Sequence, residues 1–168
     1  MRAALRSDLR RLLFQNEPAN LHQQQHPTGY IMDAGQTFSH INWLAVAVAA
    51  VVGFPVGALW YGPLWGKTWM AATGITQERA RQANMAKIYG TTLLLNLVIA
   101  TSLALFIGEM STLADGLFAG TMAGFTFVAM AFGITYLFEF RPFRLWAINA
   151  GFQVIVFSIM GAILGAWH

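Results

Sequence analysis

The chain has 168 residues, of which 57% are hydrophobic and only 10% are charged, and its formal net charge is +3. Soluble domains have about 25% charged residues, and their helices leave one face to water. The unbroken apolar blocks of this chain therefore exclude an ordinary soluble domain. There is no cysteine, which excludes disulfides, thiolate catalysis and cysteine-ligated metals.

Residues 1–40 form a polar extension that precedes a transmembrane domain at 41–168. The segment MRAALRSDLRRLLF (1–14) places leucines and arginines on largely opposite faces, which is typical of an interfacial helix or an organelle-targeting presequence. The alternative is that the native chain starts at Met32. His22 and His26 are four residues apart, but Pro27 and the lack of a third ligand argue against a metal site, and we predict no cofactor.

Four segments are long enough to cross a bilayer core, which needs roughly 20 helical residues. None of them contains Asp, Glu, Lys, Arg or His, because a charge at the bilayer centre costs a few kcal/mol or more. They predict an all-α integral membrane bundle of four transmembrane helices at about 42–63, 88–107, 117–138 and 145–167. Thr76 as a cap and Glu78 in the first turn predict a short interfacial helix near 76–87.

The basic residues predict how the chain is oriented. Loops 66–87 and 139–144 lie on one side of the membrane, and the bases there are Lys67, Arg79, Arg81, Lys87, Arg141 and Arg144. The connection at 108–116 has none, and Lys and Arg near span ends favour the cytoplasm. We therefore expect these two loops to be cytoplasmic and both termini to lie on the opposite side, with Glu139 neutralising Arg141 or Arg144.

Aromatic residues at the span ends support the same boundaries, since Trp and Tyr prefer the membrane interfaces. The predicted interface anchors are Trp43, Trp60, Tyr61, Trp65, Trp146 and Trp167, together with Lys67. A lysine next to an aromatic belt can reach lipid phosphates. These anchors predict that the lipid bilayer is a partner of the protein, whatever its function.

Glycine and proline inside the spans indicate close packing and a bend. Small residues let helix backbones approach in lipid, and the predicted packing glycines recur at four-residue spacing: Gly53, Gly57, Gly116, Gly120, Gly124, Gly161 and Gly165. The contact they predict lies either within the chain or between copies in a homo-oligomer. Pro55 removes one amide, so it should kink the first span and free the carbonyl of Val51.

Three polar side chains lie at comparable depth inside the spans: Asn96, Asn149 and Gln153. We predict that they form an intramembrane cluster near the freed carbonyl. One interpretation is interhelical hydrogen bonding, worth about 1 kcal/mol for each bond. The other is a polar lining for a small cargo or ion.

Two segments carry a resemblance to a known family, NWLAVAVAAVVGFPVGALWYGPLWGKTWM at 42–70 and INAGFQVIVFSIMGAILGAW at 148–167. They resemble the two ends of a bacterial family of small four-helix membrane proteins catalogued as domain of unknown function 1761. The matched positions are Asn42, Trp60, Tyr61, Pro63, Gly66, Lys67, Trp69, Asn149, Gly151, Gly161 and Trp167. The resemblance implies four helices in a bacterial inner membrane and assigns no activity; Pro55 and the N-terminal extension depart from its pattern.

The sequence favours a non-catalytic structural or partner-binding bundle whose partner is a second copy or another membrane protein. A small oligomeric transporter or channel is the alternative, suggested by the polar cluster and the broken first span. We predict no enzyme, because no nucleophile–base pair or metal cluster is recognisable. Nucleic-acid binding is not expected, because the bases are dispersed along membrane-flanking loops.

Overall fold

The computed structural model describes residues 38–108 and 111–167. The predictions made for the amphipathic segment at 1–14, for His22 and His26, and for a start at Met32 lie outside these residues. Within them the fold is helical and has no strand.

Four helices in the part of the chain that the structure describes are long and apolar enough to cross a membrane, which confirms the predicted all-α fold. Helix α1 spans Trp43–Leu64, and it is followed by two short helices, α2 at Gly66–Thr73 and α3 at Gln77–Arg81. The remaining long helices are α4 at Met85–Ile107, α5 at Leu113–Phe138 and α6 at Phe143–Ala166.

Polar caps explain why the helices begin where they do. The Asn42 side chain accepts hydrogen bonds from the backbone amides of Leu44 and Ala45, both at 3.1 Å. Asn84 caps α4 through the amide of Lys87 at 3.0 Å. The interfacial helix predicted near 76–87 is shorter than predicted and spans only Gln77–Arg81. Residues 85–87 already belong to α4. The predicted cap of the interfacial helix is confirmed, since Thr76 accepts from the Arg79 amide at 3.3 Å.

The closest helix contact lies between α5 and α6, where glycines from both helices leave no space for side chains. A Cβ atom on Gly116 would collide with the carbonyl of Gly161, and one on Gly120 would collide with the carbonyl of Phe157. A Cβ on Gly124 would lie 3.0 Å from the Cα of Val154. These glycines therefore already pack against a neighbouring helix of the same chain.

A π-helical segment at Ala123–Ala129 keeps α5 against α6. The small residues of α5 that face α6 step by four from Gly116 to Gly124, then by five to Ala129, and again by four to Gly133. A π turn joins residues five apart and so accommodates one extra residue. Ala129 consequently stays buried at 2% exposure instead of rotating towards lipid.

The main apolar core lies in the half of the bundle away from the basic loops. It is formed by the start of α1, the end of α4 and the end of α6, and its buried members are Ala45, Val46, Ala49, Ala50, Ala100, Leu103, Val156, Met160 and Leu164. Many of them are alanines, which lets these three helices approach closely. This half of the bundle is held together by direct packing of these three helices.

The turn between α5 and α6 ends α5 with a Schellman motif. The amide of Arg141 donates to the carbonyl of Tyr136 at 2.9 Å, and the amide of Phe140 donates to the carbonyl of Leu137 at 3.2 Å. Phe140 has a φ of 55°, the position where glycine is usual. Pro142 then prevents α5 from continuing, so α6 starts beside α5 and runs antiparallel to it.

Candidate binding site at the basic end

All the lysines and arginines of the described residues lie at one end of the bundle, which we call the basic end: Lys67, Arg79, Arg81, Lys87, Arg141 and Arg144. The loop with α2 and α3 and the turn after α5 both lie there. Asp115 is at the opposite end, where its carboxylate accepts from the hydroxyl of Thr112 at 2.7 Å.

The last turn of α1 positions the aromatic residues of this end. Trp60–Leu64 is π-helical, and the amide of Trp65 donates to the carbonyl of Trp60 at 2.9 Å. Pro63 has no amide to donate, which a regular α-helical turn would need. A Cβ on Gly66 would collide with the carbonyl of Tyr61, so only glycine lets α2 start this close and bring Trp69 back to the bundle.

Asn149 is the centre of a hydrogen-bond network that joins four helices. Its Oδ1 accepts from the hydroxyl of Tyr61 at 3.0 Å and from the indole Nε1 of Trp69 at 3.1 Å. Its Nδ2 donates to the hydroxyl of Tyr136 at 2.8 Å. An indole N–H can only donate, so the Trp69 contact fixes the orientation of the amide. Tyr136 accepts in this network and keeps its own proton for another acceptor.

Two further indoles bind backbone carbonyls of neighbouring helices. Trp60 donates to the carbonyl of Ile148 at 3.0 Å, and Trp146 donates to that of Ala129 at 2.8 Å. The Trp60 ring also lies 3.3 Å from the position a Cβ would take on Gly151. Trp60, Tyr61 and Trp146, which we predicted as interface anchors, therefore direct their polar atoms into the bundle.

The remaining predicted anchors are exposed at the two ends of the bundle. Trp65 and Lys67 are exposed at the basic end, whereas Trp43 and Trp167 are exposed at the other end. Their positions along α1 and α6 leave them accessible to the lipid interface.

An open cavity of about 1070 Å³, which we call the interface cavity, lies against the Asn149 network. Its lining includes Tyr61, Trp69, Arg79, Tyr136, Arg141 and Asn149. Arg141 donates through Nε to Glu139 at 3.3 Å, and both side chains are about half exposed. Thus the predicted pairing of Glu139 is confirmed for Arg141. The cavity is therefore lined by guanidinium and hydroxyl donors together with aromatic rings.

A second cavity of about 850 Å³, which we call the membrane groove, lies deeper between α1, α4 and α6. It is lined mainly by apolar residues, among them Gly53, Pro55, Gly57 and Phe152. A Cβ on Gly53 would lie 3.1 Å from the Nδ2 of Asn96 and 3.7 Å from Val156. The groove therefore ends where the packed core begins.

The three polar residues predicted to cluster are divided between different places. Asn96 donates to the carbonyl of Ala50 at 3.0 Å, not to that of Val51, which Pro55 deprives of its donor. Asn149 has only aromatic side chains as partners. In the part of the chain that the structure describes, the half-buried Gln153 side chain makes no hydrogen bond. Pro55 itself lies on an exposed face within a continuous helix.

Sequence reasoning missed the hydrogen bond between Tyr136 and Asn149 and the existence of helix α2. Gly74, which ends α2 with a φ of 72°, was an available signal because glycine favours this left-handed position. Tyr136 had no such signal, since its partner lies on a different helix.

The two segments that carry the family resemblance, 42–70 and 148–167, meet in this one site through Trp60, Tyr61, Ile148 and Asn149. A comparison with protein-family models matches residues 44–165 to the family described as "Protein of unknown function (DUF1761)". The comparison with curated proteins and the comparison with solved structures gave no match.

Proposed function

Because this chain belongs to the DUF1761 family, whose description assigns no activity, we propose a function from its own geometry. It is a non-catalytic membrane protein that holds a partner molecule in the interface cavity. The observation that carries this proposal is an asymmetry within the described residues: both cavities described above lie in the half of the bundle nearer the basic end, whereas the main cluster of buried apolar side chains lies in the other half. Tight packing in the half away from the basic end suits retention of a molecule better than its passage through the bundle.

The chemistry of the cavity supports binding more than catalysis. Glu139 is paired with Arg141 on an exposed turn, and the polar atoms of Asn149 are committed to Tyr61, Trp69 and Tyr136. A general base needs a free acceptor within reach of a substrate proton. The guanidiniums and the Tyr136 hydroxyl are donors, and the lining also contains the neutral amide of Gln82; such groups recognise a ligand without activating a nucleophile.

Occupation of the cavity can be measured by cysteine labelling, because the chain has no cysteine of its own. The Ala80→Cys variant places a thiol in the cavity lining, and Ala71→Cys places one on the exposed face of α2. In native membranes we expect a maleimide to label Ala80→Cys several-fold more slowly than after detergent extraction and removal of lipid. The Ala71→Cys variant should react equally in both conditions.

Equal labelling of Ala80→Cys before and after extraction would contradict an occupied cavity. A parallel slowing of Ala71→Cys would indicate that the membrane surface, and not an occupant, shields both positions.

The location proposed for the protein is the bacterial inner membrane, with loops 66–87 and 139–144 in the cytoplasm and both termini outside. The support is the placement of the bases, since Lys and Arg near span ends favour the cytoplasmic side. An impermeant maleimide added to intact cells should label Ala114→Cys, at the start of α5, and should label Ala71→Cys only after permeabilisation. The reverse pattern would invert the proposed topology.

The partner is proposed to be a molecule in the cavity and not a second copy held by glycines. Gly116, Gly120 and Gly161 are already used between α5 and α6, so they cannot serve a homo-oligomer as well. A cross-linked dimer that disappears on substitution at an exposed position, and not at these glycines, would restore the homo-oligomer or another membrane protein as the partner.

A small oligomeric transporter or channel remains the second candidate, favoured by Gln153. Its half-buried amide lies within a spanning helix without a hydrogen-bond partner in the described residues, as a group that contacts a polar solute would. Flux of a small solute into proteoliposomes that falls in the Gln153→Leu variant would support this candidate. Absence of any flux would remove it.

A further inference from the structure

The interface cavity and the membrane groove adjoin each other and differ in chemistry. Tyr61, Ile88 and Tyr89 line both of them. Tyr89 packs edge-on against Phe54 with ring centroids 5.8 Å apart, and the residue is 57% exposed. One polar space at the membrane interface thus continues into one apolar space within the membrane.

The polar space presents hydrogen-bond donors suited to an anion. The Arg79 guanidinium makes no salt bridge within the described ranges, and Arg141 shares only its Nε with Glu139. The Tyr136 hydroxyl has a proton that the Asn149 network does not use. Guanidinium groups bind phosphate through paired, charge-assisted hydrogen bonds, and with Glu139 included these side chains sum to a positive charge.

The apolar space has a floor without side chains at Gly53 and Gly57. A Cβ on Gly57 would lie 3.5 Å from the Phe152 ring, in ordinary van der Waals contact, so a side chain larger than methyl at this position would have to enter the groove or displace that ring. The groove is open to the bilayer along exposed residues of α1 and α4, including Ala58 and Ile88. An alkyl chain can therefore enter sideways from the membrane.

We propose, resting on the binding function above, that the occupant is an anionic phospholipid. Its phosphate is held by Arg79 and Arg141 with the Tyr136 hydroxyl, and one acyl chain lies in the membrane groove. Basic pockets between spanning helices on the cytoplasmic side are known to bind anionic headgroups. The groove offers an apolar space for an alkyl chain. A soluble phosphate compound has no such chain, so the groove assigns the ligand to the bilayer.

Native mass spectrometry of the full chain in detergent tests this assignment. The probes are phosphatidylglycerol, phosphatidylcholine with the same acyl chains, and glycerol 3-phosphate without chains. We expect one phosphatidylglycerol to be retained, with an apparent affinity roughly tenfold above that of phosphatidylcholine, since basic groups at the membrane surface favour anionic lipids. Glycerol 3-phosphate should not be retained.

Variants separate the two halves of the site. The double variant Arg79→Gln, Arg141→Gln should lose the preference for phosphatidylglycerol, whereas Arg81→Gln, on the same short helix but outside the cavity lining, should keep it. Gly57→Leu should weaken retention of both lipids by filling the groove, and Ala58→Trp at its mouth provides a second test should Gly57→Leu not fold. The matched control is Gly90→Leu, where a Cβ meets nothing within 4 Å.

Equal retention of the two lipids would overturn the proposal, as would binding of glycerol 3-phosphate as tight as that of the lipid. An equal loss in Arg81→Gln would also overturn it, because it would reveal diffuse surface charge. If the cavity is protected from labelling in membranes but shows no lipid preference, the binding function stands and the lipid assignment fails. If labelling is unprotected, the binding function itself fails.

Discussion

Replacing Gly120 with alanine is expected to lower the free energy of unfolding by about 1–3 kcal/mol, the range typical of an overpacked core. The new Cβ would collide with the carbonyl of Phe157 and lie 3.2 Å from the Cα of Gly161. Both are backbone atoms, so neither can rotate away and α5 must separate from α6. Circular dichroism during SDS titration of the protein in detergent micelles measures the effect.

The same substitution at Gly90 is the control, because a Cβ there meets no atom within 4 Å. Alanine is preferred over glycine inside a helix by roughly 0.5–1 kcal/mol, so Gly90→Ala should be neutral or slightly stabilising. The two variants therefore differ in sign. Similar unfolding curves for both would mean that backbone contact at Gly120 does not hold α5 on α6.

Replacing Asn149 with leucine is expected to lower the free energy of unfolding by about 2–5 kcal/mol. The substitution removes three hydrogen bonds, to Tyr61, Trp69 and Tyr136, and hydrogen bonds between membrane helices are worth about 0.6–2 kcal/mol each. Because Trp69 ties α2 to the bundle, amide hydrogen exchange of residues 66–73 should also accelerate. SDS titration and exchange measured by mass spectrometry give the two readouts.

Gln153 provides the matched control one helical turn further along α6. Its side chain makes no hydrogen bond among the residues described, so Gln153→Leu removes no such bond and should not lower the free energy of unfolding. Faster exchange of residues 66–73 in this variant too would show that α2 is held by something other than Asn149.

The sequence was sufficient for the number and approximate limits of the spans, because a charge in lipid is costly and the four blocks have none. Local signals were reliable as well: Thr76 caps α3, and Glu139 pairs with Arg141 two residues away. Each of these depends on residues close together in the chain, where helix geometry alone fixes the distance.

Rotation of one helix against another could not be predicted in the same way. Asn96 binds the carbonyl of Ala50 and not that of Val51, although Pro55 deprives only Val51 of its donor. Ala50 is fully buried whereas Val51 is 49% exposed, so a difference of one residue in helix phase decides the partner. The five-residue step to Ala129 poses the same problem, since only the α5–α6 contact reveals that a π turn absorbs it.

The partners of Asn149 were beyond prediction for a different reason. Tyr61 and Trp69 precede it by 88 and 80 residues, and nothing in the local pattern relates them. Tyr61, Trp69 and Asn149 all belong to the two segments that carry the family resemblance, but the resemblance does not pair them. Their meeting in one network required the three-dimensional packing of α1, α2 and α6.

The long sequence separation within the Asn149 network has a consequence for biogenesis. When α1 enters the bilayer during synthesis, the partners of Trp60, Tyr61 and Trp69 have not yet been translated. Their N–H and O–H groups must then be satisfied by headgroups and water, which aromatic residues at an interface accept. Helix α6 exchanges those temporary bonds for protein ones, so the cavity is completed only after α6 has been synthesised and inserted.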